Sequence, residues 1–151
     1  VTPAFALLPL LAAAQPARLD SFEALMKAAN SGQQIRTVID YSKTTLIIEG
    51  KEQKAPAAIG GMLFRSWEYF APGVVRNKLA YLVSSETHLI GHPSYGYVNN
   101  YVRLRFYSDN KVEITARYLD PKTYEVKMDE TFMGAISNGK DQKGVSLFAA
   151  P

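Results

Sequence analysis

Apolar and polar residues alternate with two different periods along this chain, and the change of period divides it. Between Asp20 and Gly32 the apolar residues Phe22, Leu25, Met26 and Ala29 fall at i, i+3, i+4 and i+7, the spacing of one helix face. Asp20 stands where it can cap that helix, with Glu23 reaching back in a capping-box arrangement. Asn30-Ser31-Gly32 stops it, and Gly32 suits a left-handed cap. From Ile35 onward the period is two. Runs at 35–41, 44–48, 61–70, 79–90, 98–107, 111–119, 123–132 and 145–148 are rich in β-branched and aromatic residues. Turn-forming clusters such as Ser42-Lys43, Ala71-Pro72-Gly73 and Gly91-His92-Pro93 separate them, and residues 49–56 read as a charged loop. Gly60-Gly61 at a strand start reads as a bend or bulge.

Parity fixes one turn. Val102, Leu104 and Phe106 share a face, as do Val112, Ile114 and Ala116. A two-residue loop at Asp109-Asn110 would set Phe106 against Glu113, whereas a three-residue loop, Ser108-Asp109-Asn110, pairs Phe106 with Val112 and Leu104 with Ile114. Asn110 then takes the left-handed position, and Arg105 meets Glu113 on the outer face. The three-residue loop is therefore expected. By the same reasoning Asp120-Pro121-Lys122 forms the next loop, aligning Tyr118 with Tyr124, Ala116 with Val126 and Ile114 with Met128, and setting Arg117 beside Glu125.

Consecutive hairpins with agreeing faces make an antiparallel meander. Such a meander closes into a barrel or stacks as two layers, because a long free edge is a liability. The expected fold is mainly β: an antiparallel meander closing into a small barrel or strongly curved sheet, with one N-terminal α-helix packed on it.

Composition adds three constraints. The 151 residues contain no cysteine, which excludes disulfides and thiolate metal sites. The formal net charge of +3 is spread along the strands rather than clustered, so nucleic acid is not an expected partner. Ala4 to Ala14 is an apolar run ending in small residues before Gln15-Pro16, the layout of a truncated signal-peptide core with an A-x-A cleavage site. It falls short of the roughly 20 apolar residues a bilayer span requires, so no transmembrane span is expected in the mature chain. Residues 1–14 are thus set aside as a signal-like segment, and 19–150 form a single β-rich domain, exported to the periplasm or secreted.

Several pieces occur in a suggestive order. Val38-Ile39-Asp40-Tyr41-Ser42-Lys43 follows the helix, then come Gly60-Gly61-Met62, Ser85-Glu86-Thr87-His88-Leu89, the hairpin from Tyr101 to Val112, and Ala135-Ile136-Ser137-Asn138-Gly139. In that order they resemble the VirK family of small exported bacterial proteins. The resemblance implies export and, from the family's name, a virulence or host-associated setting, but it transfers no catalytic residue. Members tend to carry a cysteine near each of the places held here by Thr44 and Met133, so that link is missing from this chain.

Candidate chemistry is sparse. No phosphate-binding loop, nucleophile elbow, paired catalytic carboxylates or zinc spacing is present, and no cofactor or metal is expected. His88 and His92, four extended residues apart, would lie about 13 Å from each other, too far to share an ion. Ser84, Glu86 and His88 alternate along one strand and share a face. Outside the fold they are a solvated strand face; inside it, Glu86 and His88 could act as a general base with its orienter. Tyr95, Tyr97, Asn99 and Tyr101 offer aromatic planes and amides on an expected loop, a mixture suited to sugars, peptides or other polar ligands. Arg65, Trp67 and Tyr69 share an expected strand face and make a second binding surface. The leading expectation is a non-enzymatic domain binding a small ligand or partner protein. The alternatives are an enzyme using Glu86 and His88 as an acid/base pair, and a purely structural or host-interacting effector.

Overall fold

The computed structural model describes residues 14–150, so nearly all of the signal-like segment lies outside the described residues. In chain order the elements are β1 (Ala17–Leu19), α1 (Phe22–Asn30), β2 (Gln34–Asp40), a short 3-10 turn (Tyr41–Lys43), β3 (Thr45–Ile48), β4 (Lys51–Lys54), β5 (Ile59–Leu63), β6 (Glu68–Phe70), β7 (Tyr81–His92), β8 (Gly96–Tyr107), β9 (Lys111–Leu119), β10 (Val126–Ala135) and β11 (Val145–Ala150). No helix among the described residues is long and apolar enough to cross a membrane.

Among the described residues the chain is mostly strand with one helix, as expected, but no barrel closes. The strands divide into a four-stranded sheet, β1-β11-β2-β5, and a seven-stranded sheet, β4-β3-β10-β9-β8-β7-β6. The reason lies in residues 61–70, expected as one strand. They split: β5 pairs with β2 in the small sheet, while β6 pairs with β7 in the large one. Arg65, Ser66 and Trp67 make the crossing between layers, and the buried Ser84 hydroxyl pins it by donating to the Ser66 carbonyl at 2.7 Å. The edges are blunted rather than joined. β4, in the expected charged loop, is a fully exposed Lys-Glu-Gln-Lys edge strand, and β6 is three residues long.

Between the layers lies one core. Ile35, Ile39, Met62, Val145 and Leu147 of the small sheet meet Leu82, Leu104, Phe106, Val112, Ile114 and Phe132 of the large one. The helix buries Phe22, Leu25, Ala28 and Ala29 in the same cluster. Truncating any of these large side chains to alanine costs about 2–5 kcal/mol. Gly60-Gly61 is not a bulge: both residues pair regularly with β2.

The first hairpin has the expected register, with Phe106 opposite Val112, Leu104 opposite Ile114 and Arg105 opposite Glu113. Asn110 is left-handed, at φ 69. Its side chain does more than permit the turn. Oδ1 accepts the Phe22 N–H at 2.7 Å, one of the donors that a helix start leaves without an internal partner. The helix cap itself is Ser21, not Asp20, its hydroxyl accepting the Ala24 N–H at 3.1 Å. Gly32 is left-handed, at φ 71, as its position after the helix requires.

The second hairpin departs from expectation by four residues. Tyr118 pairs with Met128, Ala116 with Glu130 and Ile114 with Phe132, and Arg117 meets Asp129 at 3.0 Å instead of Glu125. A longer loop causes the shift. The Asp120 carboxylate accepts the N–H groups of Lys122 and Thr123, each at 2.9 Å, and Tyr124 turns left-handed. These bonds hold the Asp120 carboxyl below the usual carboxylate range. A register irregularity between Val126 and Met128 completes the offset. The positions near which the resembling family carries cysteines are close in space, since Thr45 pairs with Met133.

Replacing Asn110 separates its two roles. Asn110→Gly keeps the left-handed turn but loses the acceptor for Phe22, and a loss of up to roughly 1 kcal/mol is expected. Asn110→Ala adds the cost of a left-handed alanine, about 1–2 kcal/mol more. Urea denaturation midpoints for the two variants check this order; equal midpoints would contradict it.

Candidate functional site

The large sheet presents inward rows that cross its strands. Leu82, Phe106 and Val112 form one row, and Ser84, Leu104, Ile114 and Phe132 the next. All seven are buried. The third row, Glu86-Val102-Ala116-Glu130, and the fourth, His88-Asn100-Tyr118-Met128, are only partly covered or exposed. Strand length explains the difference. β2, β5 and β11 have seven, five and six residues, against twelve each for β7 and β8. The long hairpin therefore overhangs the small sheet, leaving an inward face with incomplete cover.

A cleft of about 200 Å³ occupies this step. Its floor is Val102 and Ala116, and around it stand Tyr41, Asn100, Tyr118, Met128, Glu130 and Phe132, with Pro56 and Ala58 on the loop before β5. Tyr41 is delivered by the Asp40-Tyr41-Ser42-Lys43 turn. The Asp40 carboxylate accepts the Ser42 hydroxyl at 2.6 Å and the Ser42 N–H at 3.2 Å, with Lys43 also 3.2 Å away. The Ser42 hydroxyl, then Lys43, holds the Asp40 carboxyl below its ordinary range. The Tyr41 ring meets Phe132 edge-on at 4.9 Å and rests against Gly60, where an added Cβ would come within 3.1 Å of it. Burial, reinforced by Glu130 and Tyr118, raises the pKa of the Tyr41 phenol above the ordinary tyrosine value. Beyond Tyr118, the rings of His92 and Tyr95 continue the aromatic wall, with centroids 5.1 and 6.0 Å from that of Tyr118. His92 is fixed by its Nδ1, which accepts the Ser94 N–H at 3.1 Å.

Of the residues singled out by sequence, Ser84, Glu86 and His88 do face inward. Ser84 is committed to the layer crossing. Glu86 and His88 meet at 3.2 Å, opposite the cleft residues Val102 and Asn100. Tyr95, Tyr97, Asn99 and Tyr101 do not form one loop surface. Tyr95 lies in the turn against His92, while Tyr97, Asn99 and Tyr101 belong to β8 and alternate to its outer face. Arg65 and Trp67 are exposed in the crossing segment rather than on a strand, and Trp67 borders a separate recess with Glu68 and Ser85. Of the residues lining the cleft, sequence reasoning did not single out Tyr41, Tyr118 or Glu130. The available signal was Glu130, a carboxylate sharing the inward parity of Met128 and Phe132.

A larger recess of about 410 Å³ opens on the outer face beside Lys78, Tyr81, Arg105 and Tyr107. Its arginine is already engaged: Arg105 lies over the Tyr81 ring at 4.7 Å and bonds Glu113 and Tyr107, each at 3.3 Å. In the inward cleft, by contrast, the side chains of Asn100, Tyr118 and Glu130 make no hydrogen bond or ion pair with other described residues. Groups of three His, Asp or Glu able to hold a metal do not occur among the described residues.

A family model described as VirK protein matches residues 18–124, which include Tyr41, Asn100 and Tyr118 but stop short of Glu130. The crystal structure of a VirK family protein from Legionella pneumophila superposes with a TM-score of 0.68, covering 87% of this chain and 98% of that one. At 18% identity that likeness is one of fold. No curated protein matches the chain.

The Tyr41 environment sets a pH dependence. A phenol that ionises less readily when folded stabilises the native state fully below the unfolded value of 10.0, and that contribution is lost as pH rises through the higher folded value. Urea midpoints of the native protein should therefore fall above pH 10 more steeply than those of Tyr41→Phe. Parallel curves would show that Tyr41 titrates alike in both states.

Proposed function

The chain belongs to the VirK family, and from that membership we propose that it is an exported, non-enzymatic binding domain. Its small ligand, or a side chain of its partner protein, enters the cleft between Tyr41 and Tyr118. The observation carrying this reading is the convergence of Asn100, Tyr118 and Glu130, unpartnered among the described residues, over an apolar floor. A mostly apolar concavity with a few convergent polar groups is the usual form of a ligand site. Its volume is below the roughly 300–1,000 Å³ of drug-sized sites, which points to a small ligand or a single headgroup. Export is supported by the apolar run before Gln15 and by the family's character; N-terminal sequencing of the processed protein should begin at Gln15.

A second reading rests on one contact. Glu86 and His88 touch on the β7 side of the cleft, the arrangement an acid/base pair requires. The neighbouring hydroxyl, Ser84, is buried and bonded to Ser66, so it makes a poor nucleophile.

One titration separates the two. When the protein is titrated with a small-molecule mixture, amide shifts should cluster at Asn100, Tyr118 and Glu130. Tyr118→Ala should weaken binding about tenfold or more, the scale of one lost aromatic contact, while His88→Ala leaves it unchanged. Turnover abolished by His88→Ala at constant Tm would favour the acid/base reading. Shifts confined to the outer face would end the cleft proposal.

A further inference from the structure

We propose that the cleft selects a quaternary ammonium group, an inference that rests on the binding reading above and names its ligand class. Three aromatic rings line the space, those of Tyr41, Tyr118 and Phe132, and they share it with one carboxylate, Glu130. Neither lysine nor arginine is among its lining residues, and Glu130 makes no ion pair among the described residues. Aromatic faces attract a cation electrostatically, and partial removal of water strengthens the attraction. A trimethylated nitrogen suits this place better than a primary ammonium. It has no N–H groups that need acceptors, and its methyls contact Val102, Ala116 and Met128 as an apolar body would. The cleft's small volume fits a headgroup and little more.

Among the described residues Glu130 is the one formal charge lining the cleft. Anions are disfavoured by the same carboxylate. Neutral sugars would lack a partner matching its charge.

The chemistry could reach the cleft as a free solute or as a phosphocholine lipid headgroup, and the experiment distinguishes them. The protein is titrated by NMR with choline and, separately, with 3,3-dimethylbutan-1-ol, its neutral isostere. Sedimentation with phosphatidylcholine vesicles forms a third arm. Choline should bind at least about tenfold more tightly than the neutral alcohol, as cation–π attraction plus one carboxylate allow. Glu130→Gln should weaken choline at least about tenfold and far more than the alcohol, removing most of that preference. Tyr118→Leu, which alters no charge, should weaken choline more than the alcohol. Co-sedimentation lost in Glu130→Gln identifies the lipid headgroup as source; choline binding without co-sedimentation identifies a free solute. Equal affinities for choline and its isostere would overturn the charge selection and leave the cleft a binding site. No shift at Asn100, Tyr118 or Glu130 with choline or its isostere, together with no co-sedimentation with the vesicles, would overturn the proposal. If the small-molecule mixture still shifts those residues, the broader binding reading survives that failure.

Discussion

An inward-facing row of a β-sheet must be covered by something, and here the cover is shorter than the surface beneath it. Strands of five to seven residues lie over strands of twelve, so the first two rows become core and the next two do not. Leu104, Phe106, Val112 and Ile114 are completely buried, while Val102 and Ala116, the next residues along the same faces, form a floor. The cleft is thus a product of mismatch in length. Its walls are completed by Tyr41 on the short 3-10 turn and by Pro56 and Ala58 on the loop before β5.

The short layer is held in place by close contacts at its ends. β11 threads between β1 and β2, and Gly144 just before it sits so near the Asp40 carbonyl that a Cβ would approach within 2.6 Å. The Asp40 N–H donates to the Gly144 carbonyl at 2.9 Å, tying the start of β11 to the turn that carries Tyr41. The step on which the cleft depends and the tyrosine that walls it are fixed by the same few residues. On the opposite side Asn110 joins three elements: its side chain accepts from the helix, its backbone turns the central hairpin, and its carbonyl accepts the Ile136 N–H at 2.9 Å.

Electrostatics distinguishes the two faces of the large sheet. Outside, Arg103 and Arg105 share Glu113 at 3.4 and 3.3 Å, and Arg117 meets Asp129. Partly exposed pairs of this kind contribute about 0–1 kcal/mol each. They match charges across neighbouring strands and leave little free. Inside, Glu130 has no such ion-pair neighbour among the described residues, and it lies where the surface is concave.

How much of this was legible depends on how local each feature is. The helix, the hairpin at Ser108-Asp109-Asn110 and the shared face of Ser84, Glu86 and His88, though not which side that face is on, follow from residues a few positions apart, because side chains alternate at every step of a strand. The same alternation could not place Met128 and Glu130 against β9. A shift of four preserves parity, so Phe132 opposite Ile114 and Met128 opposite Ile114 look alike from sequence. Only the bonds around Asp120 and the left-handed Tyr124 decide between them. Nor does periodicity reveal that Arg65-Ser66-Trp67 leaves one sheet for another, since both halves of that run carry strand-forming residues. The sequence by itself determined which side chains point the same way. Tertiary structure decided which strands neighbour one another and where cover ends, since pairing and overlap arise between segments far apart in the chain.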